Sequence, residues 1–106
     1  IMVFYNQGDK QVLITSADWM ERNIDERVEV ACPIYDPSLK QRILDILELH
    51  FKDNVKARVI DEQQQNLYVD NMSGEAVRSQ MAIYDYLKNK EDDALKQLLV
   101  QQYRNE

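Results

Sequence analysis

A chain of 106 residues with 44% hydrophobic and 30% charged residues has the composition of one globular domain with a modest core. Its formal charge of −6 argues against broad electrostatic binding of nucleic acid, and no apolar run approaches the roughly 18 residues that span a bilayer. The lone Cys32 cannot form an internal disulfide, so we expect a reducing, cytoplasmic location with no nucleic-acid partner and no transmembrane segment.

The beginning of the chain predicts a β-hairpin. Residues 1–5 form an apolar run, residues 6–9 form a turn in which Gly8 can supply a positive φ, and residues 11–15 form the antiparallel return strand. Because the chain opens at Ile1 inside a strand and without an initiator Met, we expect it to be an excised piece and an incomplete domain.

A polar loop and a third strand follow. Residues 16–25 are mostly polar, with room for one helical turn. Residues 26–34 alternate between apolar and other side chains, which predicts a strand with one apolar face. That face carries Val28, Val30 and Cys32.

The middle of the chain contains the clearest helix. Asp36 suits the N-cap and Pro37 the first helical position, and apolar residues then recur at helical spacing as far as Lys52. Residues 55–60 predict a further strand, and residues 67–69 a short one.

The last third predicts two helices. The first starts at residues 73–75 with Ser73 as its cap, residues 89–93 form a charged break, and residues 94–103 are helical again. Together these elements predict an α/β (α+β) fold, with a mixed or antiparallel sheet that carries two to three helices.

The functional candidates lie in residues 14–29, a polar segment between two apolar runs. A hydroxyl, several carboxylates, an amide and two guanidinium groups on one loop can build a phosphate site. The alternative is a surface turn anchored by Trp19. Arg22 and Arg27 could likewise bind phosphate or pair with nearby carboxylates, which belong to Asp18, Asp25, Glu26 and Glu29.

This segment resembles a signature of the long, multidomain polyphosphate kinases, close to Ser-Ser-Ala-Asp-Trp-Met-x-Arg-Asn-x-Asp-x-Arg-Val-Glu. Further stretches resemble successive pieces of the C-terminal domain of that family, in order, namely residues 6–9, 36–42, 53–58 and 77–86. The resemblance covers residues 2–88. It implies a C-terminal domain piece over residues 1–90. Beyond it, we expect residues 91–106 to be a helical extension, which is either specific to a lineage or a helix that docks on the rest of the molecule.

The last domains of these kinases are similar to phospholipase D, so the resemblance implies a phospholipase-D-like half. Ser16 then takes the serine place of a Gly-Ser-x-Asn motif, and Glu29 takes the place of the downstream glutamate, thirteen residues later. By this resemblance Glu29 supports catalysis by orienting a histidine upstream of Ile1, while substrate contacts come from Ser16, Asp18, Arg22 and Arg27. Two departures are Thr15 in the glycine place and Asp18 in the asparagine place.

For the parent enzyme, the resemblance implies reversible transfer of the ATP γ-phosphate to polyphosphate through a phosphohistidine, with Mg²⁺. The remaining domains of the enzyme, ATP and polyphosphate are then its partners. His50 ends an amphipathic helix with no catalytic constellation around it in sequence, and no carboxylate spacing indicates a metal site. We therefore expect this chain to be inactive alone and to bind no cofactor.

Two alternatives belong to other classes. One is a phospholipase-D-like phosphodiesterase, which requires a His-x-Lys upstream where the kinases have His-x-Arg. The other is a non-catalytic interaction module in which residues 91–106 form a docking helix. Peripheral association of the parent with a membrane is also left open.

Overall fold

The computed structural model describes residues 1–69 and 74–104. The chain forms two compact units, Ile1–Asp45 and Ile46–Glu106. The described residues form three strands and three α-helices, which are β1 (Met2–Phe4), β2 (Gln11–Thr15), α1 (Glu21–Ile24), β3 (Ala31–Ile34), α2 (Pro37–Phe51) and α3 (Ser79–Arg104).

The first unit contains an antiparallel sheet in the order β1-β2-β3. Met2 pairs with Leu13 across the predicted hairpin, and Leu13 also pairs with Pro33 on the other side. β3 is an edge strand, so only its side facing β2 forms sheet hydrogen bonds. The N–H that Pro33 lacks would point away from β2, and its absence costs no sheet hydrogen bond. The predicted sheet with helices is confirmed, and it is antiparallel.

The hairpin turn needs left-handed backbone at three consecutive residues. Asn6, Gln7 and Gly8 have φ values of 43°, 56° and 104°, and the Gly8 N–H donates to the Tyr5 carbonyl at 3.0 Å. Asparagine and glycine adopt this region at low cost. The predicted positive φ at Gly8 is therefore confirmed.

The third strand is shorter than predicted. It covers Ala31–Ile34 rather than residues 26–34, and Val28 and Val30 are 98% and 67% exposed. A strand continues only where a neighbouring strand offers hydrogen bonds, and β2 ends at Thr15, opposite Ala31. The prediction of an apolar face through Val28, Val30 and Cys32 was wrong, since Cys32 is also exposed.

Helix α2 begins as predicted. The Asp36 carboxylate accepts the Leu39 N–H at 2.9 Å and the Ser38 hydroxyl at 2.7 Å, so it caps the first turn and Pro37 enters without losing a hydrogen bond. The Ser38 and Leu39 donors stabilise the ionised form and lower the pKa of Asp36.

The second unit is held by Asp53, just after α2. Its Oδ1 accepts the backbone N–H groups of Val55, Lys56 and Ala57 at 2.7–3.2 Å. Its Oδ2 accepts the N–H and the hydroxyl of Ser79 at 2.8 and 2.7 Å. These donors lower the pKa of Asp53 strongly, the Lys56 N–H most. One carboxylate thus joins a tight turn to the first residue of α3.

Three predictions for this unit need correction. The strands predicted at residues 55–60 and 67–69 are reduced to an isolated bridge between Arg58 and Tyr68. The described part of the last helix starts at Ser79, and the predicted cap Ser73 lies outside the described residues. No break occurs at residues 89–93, because charged residues without Gly or Pro continue a helix readily.

Candidate functional site

Ser16 continues the pairing of β2 and β3 by one residue beyond the sheet. Its N–H donates to the Val30 carbonyl at 3.1 Å, and the Val30 N–H donates back to the Ser16 hydroxyl oxygen at 3.3 Å. The neighbouring Thr15 hydroxyl accepts the Ala17 N–H at 3.1 Å and closes the turn. This arrangement brings Glu29, one residue before Val30, beside Ser16.

The Glu29 carboxylate is the centre of the site. Its Oε2 accepts a hydrogen bond from the Ser16 hydroxyl, and its Oε1 accepts one from the Asn23 amide at 2.7 Å. The Ser16 donor lowers the pKa of Glu29 most, followed by the Asn23 donor, and the Arg27 charge adds a smaller effect. Glu29 is therefore ionised at neutral pH and held in one orientation from both oxygens.

Asn23 is the site residue that the sequence analysis missed. It lies on α1 and is only 5% exposed, although the other three residues of this helix are exposed. Its amide nitrogen binds Glu29, whereas its Oδ1 is buried without a hydrogen-bond partner in the described residues. The signal that could have identified it is the asparagine of the signature quoted above, which falls at residue 23.

The other predicted site residues surround this network without joining it. Asp18 and Trp19 line a cleft of about 370 Å³ together with Thr15 and Ile24. The indole of Trp19 is 92% exposed, so it does not anchor the turn in a core. Asp18 is itself exposed.

Arg22 and Arg27 are exposed, one on α1 and one in the turn that follows it. Among the described side chains, neither arginine lies within 4.0 Å of a carboxylate, and the ion pairs formed there include Lys40–Asp9, Lys52–Glu48 and Lys96–Asp93. The salt-bridge alternative of the sequence analysis is therefore not what the structure shows. Both guanidinium groups are left available to an anion.

Over residues 1–69 and 74–104 there is no group of three His, Cys, Asp or Glu side chains placed to hold a metal. In the same ranges, no helix has the length and apolarity needed to cross a membrane.

Comparison with known proteins identifies the family. Residues 1–80 match the family model for polyphosphate kinase C-terminal domain 2. The chain belongs to the polyphosphate kinase family. The family match includes Ser16, Asn23 and Glu29, so the site described above lies inside the family domain.

Individual relatives agree with this assignment. The chain is 57% identical over 97 residues to a polyphosphate kinase of Vibrio parahaemolyticus, covering 92% of this chain and 14% of that protein. It is 59% identical over 91 residues to a polyphosphate kinase of Klebsiella pneumoniae, covering 86% and 13%.

A solved structure supports the fold. The crystal structure of polyphosphate kinase from Porphyromonas gingivalis matches with a TM-score of 0.82 and 49% identity, over 86% of this chain and 14% of that one. The chain thus spans about one seventh of the length of these polyphosphate kinases. The predicted fold, a piece of the C-terminal domain of such a kinase with an antiparallel sheet, is confirmed.

Proposed function

We propose that this chain supports the phosphoryl-transfer site of a polyphosphate kinase. In that enzyme a histidine nitrogen takes the γ-phosphoryl group of ATP, ADP leaves, and the phosphoryl group then passes to the terminal oxygen of a polyphosphate chain. The reverse sequence forms ATP. The observation that carries the proposal is the Ser16–Glu29–Asn23 network, which is assembled within the family domain.

Glu29 acts as a positioning residue for a histidine of the rest of the enzyme. Its two oxygens each accept one protein hydrogen bond, and a carboxylate has further lone pairs for an N–H donor. Glu29 is only half-buried, so an approaching imidazole can reach it. Its negative charge would fix the imidazole tautomer and favour the protonated ring.

Substrate contacts come, in this proposal, from Ser16, Asp18, Arg22 and Arg27. Phosphoryl transfer depends mainly on positioning and on compensation of negative charge. The guanidinium groups of Arg22 and Arg27 have no carboxylate partner within 4.0 Å among the described side chains and can supply that charge. Asp18 borders the cleft, where it would orient a donor group rather than bind a phosphate oxygen.

ATP, Mg²⁺ and the phosphorylated histidine belong, in this proposal, to other parts of the enzyme. Mg²⁺ would supply positive charge that stabilises the nucleotide phosphates, and among the described residues no three His, Cys, Asp or Glu side chains are placed together to hold a metal ion. Residues 1–90 would form the domain piece, and residues 91–106 a helical extension that assists assembly. The chain alone would supply scaffold and orienting groups.

A chimaera tests this function. The segment of the Vibrio parahaemolyticus polyphosphate kinase that aligns with this chain is replaced by this chain, and polyphosphate formation from ATP is measured. We expect an active chimaera whose turnover falls roughly 10²-fold on Glu29→Gln, in line with general acid–base contributions. Glu26→Gln is the matched control, since Glu26 is an exposed carboxylate three residues away.

The possible results separate the alternatives. Wild-type turnover and an unchanged pH profile for Glu29→Gln would refute the positioning role. A His-x-Lys upstream of Ile1 in the parent sequence, in place of the His-x-Arg of the kinases, would favour the phospholipase-D-like alternative. Deletion of residues 91–106 that abolishes assembly but preserves turnover would assign that segment to docking.

A further inference from the structure

In the second unit, residues 56–69 fold back on themselves. Arg58 and Tyr68 lie opposite each other in an isolated antiparallel bridge, and the Val59 N–H donates to the Leu67 carbonyl at 2.9 Å. Residues directly opposite in an antiparallel pair carry their side chains on the same face. The backbone therefore holds the Arg58 and Tyr68 side chains together.

The Arg58 guanidinium is fixed in position. Its Cζ lies 3.1 Å from the centroid of the Tyr68 ring, and its Nη1 donates to the Asn66 carbonyl at 2.8 Å. Stacking and this bond set the plane of the group while leaving its other N–H donors without a carboxylate partner among the described side chains. An oriented fork with free donors is suited to a phosphate group.

A second cation shares the same ring. The Lys56 Nζ lies 5.9 Å from the centroid of Tyr68, and in the described part of the chain it has no ion pair. Lys56 and Arg58 are two residues apart and both exposed. They form a pair of cations on one aromatic platform, which we call the Tyr68 platform (Lys56, Arg58 and Tyr68).

The described carboxylates nearest in sequence form no ion pair with these two cations. Asp53 already accepts five hydrogen bonds from residues 55–57 and Ser79. Asp61 accepts the Gln65 N–H at 3.0 Å, and Glu62 is exposed without an ion pair to either cation. On a chain of net charge −6, two cations without an ion pair to any described side chain favour an anionic ligand locally.

We propose that the Tyr68 platform is a second phosphate-binding subsite, which holds a linear polyphosphate chain. This rests on the proposed function for the nature of the ligand. Successive phosphates offer several oxygens to two cations side by side, whereas a single phosphate offers one group. The stacked guanidinium binds in bidentate fashion, and the Lys56 ammonium neutralises a neighbouring phosphate.

The test is titration of the 106-residue chain with short linear polyphosphate, monitored through its amide chemical shifts. ATP and inorganic phosphate are titrated in parallel. We expect shifts at residues 56–58 and 66–69 and weaker effects from the other two probes. Arg58→Gln should weaken polyphosphate binding about tenfold or more, since it removes charged hydrogen bonds. The slope of log K against log salt should fall by about one.

Matched variants separate the geometry from simple charge. Arg58→Lys keeps the charge but loses the fork and the stacking, so it should bind nearly as weakly as Arg58→Gln. Lys52→Gln also removes one exposed cation from the same segment, but Lys52 is paired with Glu48 at 3.5 Å and should change binding little. Lys56→Gln leaves the Arg58–Tyr68 stack intact and should weaken binding without disturbing the fold.

Several results would overturn the subsite. They are an absence of polyphosphate binding, equal losses for Lys52→Gln and Arg58→Gln, wild-type affinity for Arg58→Lys, or ATP binding as tightly as polyphosphate. These outcomes are independent of the chimaera. An active chimaera without platform binding refutes the subsite alone, and an inactive chimaera with platform binding refutes the proposed function alone.

Discussion

Replacing each of two valines by alanine tests the boundary of β3. Val12 lies in the central strand and is 2% exposed, whereas Val28 precedes β3 and is 98% exposed. The alternation pattern of the sequence treats Val28 as a buried strand residue, and the structure treats it as a loop residue. The change Val→Ala is chemically identical at the two positions, so only their surroundings differ.

The expected magnitudes follow from burial. Val12→Ala removes two buried methyl groups, at about 0.8 kcal/mol each, and leaves a small cavity, so we expect a loss of about 2 kcal/mol in the free energy of unfolding. Val28→Ala removes no buried apolar area and should change stability by less than about 0.5 kcal/mol. With m-values of about 1–3 kcal/mol/M in urea, the Val12 variant should unfold at a midpoint about 0.7–2 M lower.

Urea unfolding of each variant is monitored through the amide signals of β2 and β3. These signals give the unfolding midpoint of the first unit directly. A Val28→Ala midpoint that falls as far as that of Val12→Ala would show that residues 26–30 bury an apolar face. That result would restore the strand predicted over residues 26–34, and it would refute the explanation that β3 is short because β2 ends at Thr15.

Three further predictions concern charge and activity. The chain alone should show no ATP hydrolysis and no micromolar ATP affinity in calorimetric titration, and a micromolar dissociation constant would contradict the assignment of ATP to other parts of the enzyme. Asn23→Asp places a second carboxylate where the amide lies 2.7 Å from Glu29 Oε1, so one of the pair should keep a proton. Its folded-state pKa is then raised, and the urea midpoint should fall as the pH rises through that value, whereas wild type should show no such fall. Asp53 has a lowered folded-state pKa, so its contribution to stability is present above its ordinary value of 3.8 and is lost as the pH falls through the folded value. Asp53→Asn should lower amide protection at Lys56 and Ser79 near neutral pH, and unchanged exchange there would show that the carboxylate does not hold the start of α3.

Local patterns predicted the elements that local interactions stabilise. The hairpin needed only a turn with Gly8 and two apolar runs, and α2 needed only the Asp36 cap, Pro37 and a helical stripe. Sequence also indicated the family, because residues 14–29 carry a specific pattern of functional side chains. Ser16 and Glu29 were predicted as part of one site, and the structure joins them by a hydrogen bond.

Contacts between distant residues decided the remainder, and no periodicity encodes them. Residues 26–30 alternate like a strand, but β2 ends at Thr15 and the pairing extends only to Val30, and Val28 is exposed. The charged residues 89–93 look like a break, yet they continue α3 because nothing in their backbone chemistry ends a helix. Asn23 became a site residue only when the turn carrying it placed its amide against Glu29, six residues away. Asp53 likewise looks in sequence like the end of a helix, and only the folded chain brings Ser79, 26 residues later, to its carboxylate. Sequence thus determined which side chains the chain has for its site, and the tertiary fold determined which of them meet, because hydrogen bonds depend on distances in space rather than along the chain.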